Sequence, residues 1–394
     1  MKTESPVSRR SLIAQAGAAA VTAPLLLNTA PVAASGRNAK LSVHLQNKKL
    51  IASFLTEMAA GDAHAVLARY CHPDCQFEVF HPFNTLKGLD QAATDFWIPL
   101  RRAFPDYEQR IALVLGGEYE GRAMASSWGH VMGTFDAPLV GIPPTRGLAF
   151  LSFGFNAIIR DGKIAKAYVL LDLVDLMRQS GFYPFRAMPG SSEAWPFPPC
   201  DSGATALGYD AVQGAETLRI VREMQGGLPK KNEIRATAGQ PSAHSPHWHA
   251  NMNWYGPAGI GSMRGLRGFR DFHGALFLQA FPDRTGWKRE PGGPENAPGH
   301  YIRLGDGLFG VTSGWPSLNA THTGSEWLGL PPSGRRIEMR VADWYRLDRD
   351  GKICDNWVMM DIPHIVQQMG LDVFHDLEYR VDPSKTRVRI MPSA

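Results

Sequence analysis

The stretch DGKICDNWVMMD, Asp350 to Asp361, decides the fold, because it occurs twice. Asp161 to Asp172 reads DGKIAKAYVLLD, 189 positions earlier. Each copy reads as an Asp-Gly turn running into a strand that ends on a carboxylate. Three further landmarks recur in the same order. Ala103-Phe104-Pro105-Asp106 matches Ala280-Phe281-Pro282-Asp283, and Gly141-Ile142-Pro143-Pro144-Thr145 matches Gly329-Leu330-Pro331-Pro332-Ser333. Gln179-Ser180-Gly181-Phe182 matches Gln368-Met369-Gly370-Leu371. Preserved order identifies an internal repeat. One insertion, in the Pro/Gly/Glu-rich run from Trp287 to His300, explains most of the drift in offset.

The repeat divides the 394 residues into domains at 40–185 and 205–380. Between them, 186–204 has a linker composition of Pro, Ser and Gly, and 381–394 reads as a tail. In the first half, apolar spacing at Leu50, Ile51, Phe54 and Leu55 predicts a helix over 45–58. Shorter helices follow over 63–70 and 89–104, the latter stopped by Pro105. Strands are predicted over 76–80, 108–116, 122–134, 147–160 and 163–172, with a last helix over 174–179. Helices first and strands later predict an α+β fold. The expectation is two tandem domains, each a curved, mostly antiparallel sheet wrapped around helices.

Ser8-Arg9-Arg10-Ser11-Leu12 is a twin-arginine signature. An Ala-rich apolar stretch, 13–27, and the small residues Val32-Ala33-Ala34-Ser35 complete an export signal over 1–35. The mature chain is therefore expected in the periplasm or secreted, with no membrane span. A net charge of +4 without a run of like charges gives no nucleic-acid footprint. Cys71 and Cys75 are candidates for a bridge in an oxidising compartment, with plain buried or exposed thiols as the alternative for all four cysteines. His244, His247 and His249 match no standard metal spacing and read as a pocket-edge loop with Trp248 and Trp254. No metal or cofactor is expected.

Strand alternation puts Trp357, Met359 and Asp361 on one face, and Tyr168, Leu170 and Asp172 on its counterpart. If that face is the inside of the sheet, each Asp is desolvated, its pKa rises, and it can take a proton from carbon next to a carbonyl. The competing reading is a helix cap. Each Asp precedes a short helix, and Pro363 supports that role at Asp361. His322 and His130 are candidates to polarise a carbonyl or orient the Asp. Trp357, Tyr168, Met359, Asp343 and Trp254 are candidate substrate contacts. The second half keeps Asp343 where the same spacing puts Gly154 in the first, so its pocket ranks ahead.

Taken together, these motifs resemble the SnoaL-like polyketide cyclases, whose cone-shaped fold is shared with ketosteroid isomerase and nuclear transport factor 2. The resemblance implies intramolecular aldol cyclisation of a polyketide ester, with an Asp at this strand end as acid/base and no cofactor. That role carries over to Asp361 and to Asp172. The expected function is acid/base chemistry of cyclase, isomerase or lyase type on a small, largely apolar carbonyl or ester compound. The alternative is an exported, non-catalytic binding protein using the same cone. Cone domains of the family pair through their sheets, so the chain is expected as a monomer with an internal pseudo-dimer, or as a homo-oligomer.

Overall fold

The computed structural model describes residues 36–192, 208–226, 245–285 and 299–381. The predicted export segment, Cys200, His244 and residues 382–394 lie outside them.

The first lobe runs α1 (Gly36–Ala60), α2 (Ala63–Tyr70), β1 (Cys71–Val79), β2 (Asn84–Lys87), then α3 (Gly88–Ala92). A π turn at Ala93–Trp97 leads into α4 (Ile98–Ala103). Strands β3 (Glu108–Tyr119), β4 (Arg122–Thr134), β5 (Leu148–Arg160) and β6 (Lys163–Leu171) follow, closed by α5 (Leu173–Gln179). The second lobe repeats this. Its order is α6 (Ala211–Gly226), β7 (Trp248–Tyr255), β8 (Met263–Arg264), α7 (Gly265–Phe269), a π turn at Arg270–Gly274 and α8 (Ala275–Ala280). Then come β9 (His300–Asp306), β10 (Phe309–Thr321), β11 (Arg336–Leu347), β12 (Ile353–Met360), α9 (Ile362–Met369) and α10 (Val373–Val381).

The sheets have one topology, β2-β1-β6-β5-β4-β3 and β8-β7-β12-β11-β10-β9. All pairs are antiparallel except β1 with β6 and β7 with β12, so each sheet is mixed. The expected α+β architecture with two tandem sheet domains is what the chain adopts. Local devices repeat as well. Asp106 accepts from the Thr134 amide (2.7 Å) and hydroxyl (2.8 Å), as Asp283 does from Thr321 (2.7 and 2.6 Å). Gln179 pairs with the Phe150 backbone as Gln368 pairs with that of Glu338.

The turns between the paired strands differ. Arg160–Lys163 closes on Asp161 and Gly162, both at positive φ (50° and 70°), the geometry of a two-residue hairpin. In the second lobe the turn spans 348–352, one residue longer. Positions before and after it therefore keep different offsets. Gly154 faces Leu170 as Ala342 faces Met359, so the counterpart of Asp343 is Phe155. Constant spacing had pointed to Gly154, and the extra turn residue overturns that.

One face of each sheet packs on its own helices; the other faces come together. Trp128 stacks on Trp357 (5.3 Å between centroids) and Tyr168 on Tyr301 (3.9 Å). The Trp344 indole donates to Ser126 Oγ (2.9 Å), and Asn156 Nδ2 donates to the Tyr301 hydroxyl (3.0 Å). These partners satisfy polar groups inside an otherwise apolar contact. Gly154 belongs to this seam: a Cβ there would stand 2.6 Å from the Trp344 ring. The buried Lys48–Asp306 pair (2.5 Å) ties α1 to β9. Among the described residues no helix is long and apolar enough to cross a membrane.

Candidate functional site

Asp172 and Asp361 cap α5 and α9. Asp172 accepts from the Asp175 amide (3.0 Å), and Asp361 from the His364 amide (3.3 Å). Each also reaches into the other lobe. The second oxygen of Asp172 accepts from the Ala258 amide (2.8 Å), and that of Asp361 from the His81 amide (2.9 Å) and Arg340 (3.1 Å). Ala258 and His81 follow equivalent strands, so the two clamps are related by the repeat. Burial raises both pKa values, to about 7 for Asp172 and about 6 for Asp361. At Asp172 the neighbouring Asp175 adds to the rise; at Asp361 the Arg340 charge works against it.

Their strand neighbours do not line a cone. Tyr168, Trp357 and Met359 face the seam between the sheets and are buried there. The expected orientation was inverted, because the lobes cover with each other the face that a solitary sheet would turn to solvent. His322 is engaged by backbone at both ring nitrogens, Nε2 with the Ser325 carbonyl (3.0 Å) and Nδ1 with the Ser333 amide (3.2 Å). Its ring packs against Phe281 at a tilt, where Phe135 stacks on Phe104, so its counterpart is Phe135 and it braces the Pro-Pro turn. His130 sits beside Trp128 on the seam face, where burial lowers its pKa to about 4. The two histidines and the two strand-end aspartates thus belong to separate environments rather than one constellation.

The carboxylate inside a cone is Asp343. On β11 it shares a face with Val341 and Tyr345, opposite Trp344 of the seam. Thr312 and Val358 flank it across the sheet. Asn356 Nδ2 lies 3.4 Å from Asp343 Oδ1, and the Tyr345 hydroxyl donates to the carboxylate. Gln225, near the end of α6, donates from Nε2 to Thr312 Oγ1 (2.9 Å) and to the Tyr345 hydroxyl (3.3 Å). In the next row Asn356 stands beside Trp254. Desolvation raises the Asp343 pKa to about 7, against the Asn356 and Tyr345 hydrogen bonds that lower it. The residue keeps part of its surface accessible. A carboxyl so placed can both give and take a proton near neutrality.

The family model for SnoaL-like polyketide cyclases matches residues 49–180 and 315–369, one segment in each lobe. The chain thus carries SnoaL-like sequence in both of its lobes. Similar solved structures include a candidate SnoaL-like polyketide cyclase from Jannaschia (20% identity, 36% of this chain and 96% of that one, TM-score 0.29). Others are a candidate polyketide cyclase from Pseudomonas putida (25%, 34% and 96%, TM-score 0.28) and an NTF2-like protein from Burkholderia xenovorans (11%, 40% and 98%, TM-score 0.28). A comparison with curated proteins returns no match.

The two SnoaL-like lobes differ inside. Register places Phe155, Ala157 and Ala167 of the first where the second has Asp343, Tyr345 and Asn356. Ser127 stands for Thr312 and Phe77 for Trp254. The first cone is packed solid by Phe54, Phe77, Phe96, Trp97 and Phe155, all fully buried. In the second SnoaL-like lobe Gly274 takes the place of Trp97 and His273 that of Phe96. Of the sequence candidates, Asp343 and Trp254 are the two that face a cone interior. Tyr345, Asn356, Thr312 and Gln225 were missed, although alternation from Asp343 would have put Tyr345 on its face. Among the described residues no three His, Cys, Asp or Glu side chains gather as a metal site.

Proposed function

We propose that the second lobe performs acid/base chemistry of the SnoaL-like cyclase type on a small, largely apolar carbonyl or ester compound, with Asp343 carrying the proton. The observation that carries this reading is one carboxyl, poised near neutrality, inside a cone whose twin holds phenylalanine at the same place. Ionised Asp343 removes a proton from carbon next to a carbonyl. The C–H electron pair moves into an enolate, and the negative charge settles on oxygen. Attack of the enolate carbon on a second carbonyl gives an alkoxide, which takes the proton back from Asp343. Tyr345 and Asn356 hold the carboxyl in place by hydrogen bonds. The steps need a proton carrier and no other reagent, in keeping with cofactor-independent chemistry.

In this proposal Asp361 and Asp172 are clamps, since both oxygens of each are occupied by backbone amides. The Ser8–Leu12 signature supports export as an accompanying proposal, checked by cell fractionation. The main test follows α-proton exchange in heavy water by NMR over a panel of β-keto esters and aryl ketones. Exchange by wild type and by Asp361→Asn, with loss in Asp343→Asn, is the expected pattern. Undiminished exchange in Asp343→Asn removes Asp343 from the mechanism.

A further inference from the structure

A groove of about 430 Å³ lies on the second lobe outside the Asp343 cluster. The segment after α5 forms one wall, α8 and its π turn another, and the turn at 325–329 the third. The first wall is fixed to the second lobe: Gly190 donates to the Ile260 carbonyl (2.9 Å), and Ser191 pairs with Ser262. Phe185, Ile260, Leu276 and Trp327 make the lining mainly apolar. At the rim Arg186 and Glu326 stand 3.7 Å apart, so the entrance carries no net charge from this pair.

His273 is the anomaly in this lining. It is 8% exposed, and it has no hydrogen-bond partner among the described residues. Its ring lies flat on Trp254, with centroids 4.3 Å apart at 18°, which leaves the ring edge for polar contact. The matching π-turn residue of the first lobe is Phe96, packed on Phe83 and Trp97. The second lobe keeps an imidazole where the fold accepts a phenyl ring, and sets a groove beside it.

We infer that this groove binds an uncharged, flat, largely apolar ring compound bearing one hydroxyl or carbonyl group, with His273 as its hydrogen-bond partner. The apolar walls take up the rings, and the groove volume limits the ligand to a small molecule. Burial pushes the His273 pKa down to about 3, so the ring is neutral and offers one N–H donor and one acceptor. It can therefore meet either group. The site stands independently of catalysis by Asp343.

The test uses 2-naphthol and naphthalene as probes, which share rings and differ by one hydroxyl. Equilibrium dialysis measures affinity, and ¹⁵N NMR reads the His273 ring nitrogens. Wild type is expected to prefer 2-naphthol about tenfold, the value of one hydrogen bond, with a shifted His273 resonance. His273→Phe, which copies Phe96, should bring the ratio close to one and leave naphthalene binding intact. Leu276→Trp, at a partly exposed wall position, should weaken both probes. Asp343→Asn should keep the preference, which separates this site from the proposed catalytic one. Equal binding of the probes by wild type, a preference that survives His273→Phe, or one that disappears in Asp343→Asn overturns the proposal.

Discussion

Phe155 and Asp343 occupy one position of the repeated fold, each paired across the sheet with the matching valine, Val169 or Val358. At Phe155 the surroundings are small, Ala157 and Ala167, and the ring completes a solid core. At Asp343 they are Tyr345 and Asn356, which offer hydrogen bonds. One backbone thus supports a filled lobe and a lobe with a polar interior. Whole neighbourhoods differ between them rather than a single residue.

That contrast predicts opposite stability effects. Phe155→Asp should destabilise by at least about 3 kcal/mol, because a carboxyl enters a packed apolar core with no partner. Asp343→Asn should raise stability at pH 8, because it removes a charge that burial disfavours. Urea unfolding of the two variants measures both. A stabilising Phe155→Asp, or an Asp343→Asn less stable than wild type at pH 8, would contradict the assignment of the two interiors.

For activity, Asp343→Asn should lower kcat/KM by about 100-fold or more, the usual scale for a positioned proton carrier. Gln225→Ala should act more weakly and through geometry, since Gln225 touches Tyr345 and Thr312 rather than the carboxyl. Steady-state kinetics on any substrate that passes the exchange screen gives both numbers. A Gln225→Ala loss as large as that of Asp343→Asn would argue against a single proton carrier.

Much of this was legible in the sequence. Four ordered landmarks reveal the duplication, and turn residues such as Asp161-Gly162 and Pro105 fix element boundaries. Strand alternation sorted Trp357 and Met359 from Val358 correctly. It could not say which set turned inward, because the outcome depends on a partner sheet far along the chain. The strand-end aspartates read equally as caps and as bases. Their cross-lobe contacts with His81 and Ala258 are long-range and leave no local signature. The one-residue difference between the turns at 160–163 and 348–352 shifted the register and hid the match of Asp343 with Phe155. The neighbourhood of Gln225 and Thr312 was equally invisible, as they are 87 residues apart.

The clamps predict how the lobes hold together. Asp361→Ala strips acceptors from the His81 and His364 amides and leaves Arg340 without its carboxylate. A loss of about 3 kcal/mol is expected from the missing cap and the stranded charge. Asp172→Ala strands no cation, because Ser152 stands where the second lobe has Arg340, and the nearby Arg178 keeps its bond to Asp175. Its cost should be smaller, about 1–2 kcal/mol. Denaturant titration of both variants orders them; an equal or reversed order would mean that the Arg340 contact adds nothing.

The same acids set a pH dependence. Asp172, Asp343 and Asp361 have folded-state pKa values raised from 3.8 to about 7, 7 and 6. A raised pKa means that the folded chain holds the proton more tightly than the unfolded one. The stabilisation from these groups is then complete below about pH 4 and declines as pH rises through 6 and 7. Asp74 and Asp106 are shifted down by Arg160 and Thr134, so they push the other way at lower pH. Unfolding free energy should therefore fall between pH 5 and 8, and Asp343→Asn should flatten that slope. Activity should move oppositely, since only ionised Asp343 can take a proton: kcat/KM should climb with an apparent pKa near 7. A rate profile flat from pH 5 to 8, alongside the same stability slope, would leave Asp343 as a buried acid of the fold and not the base.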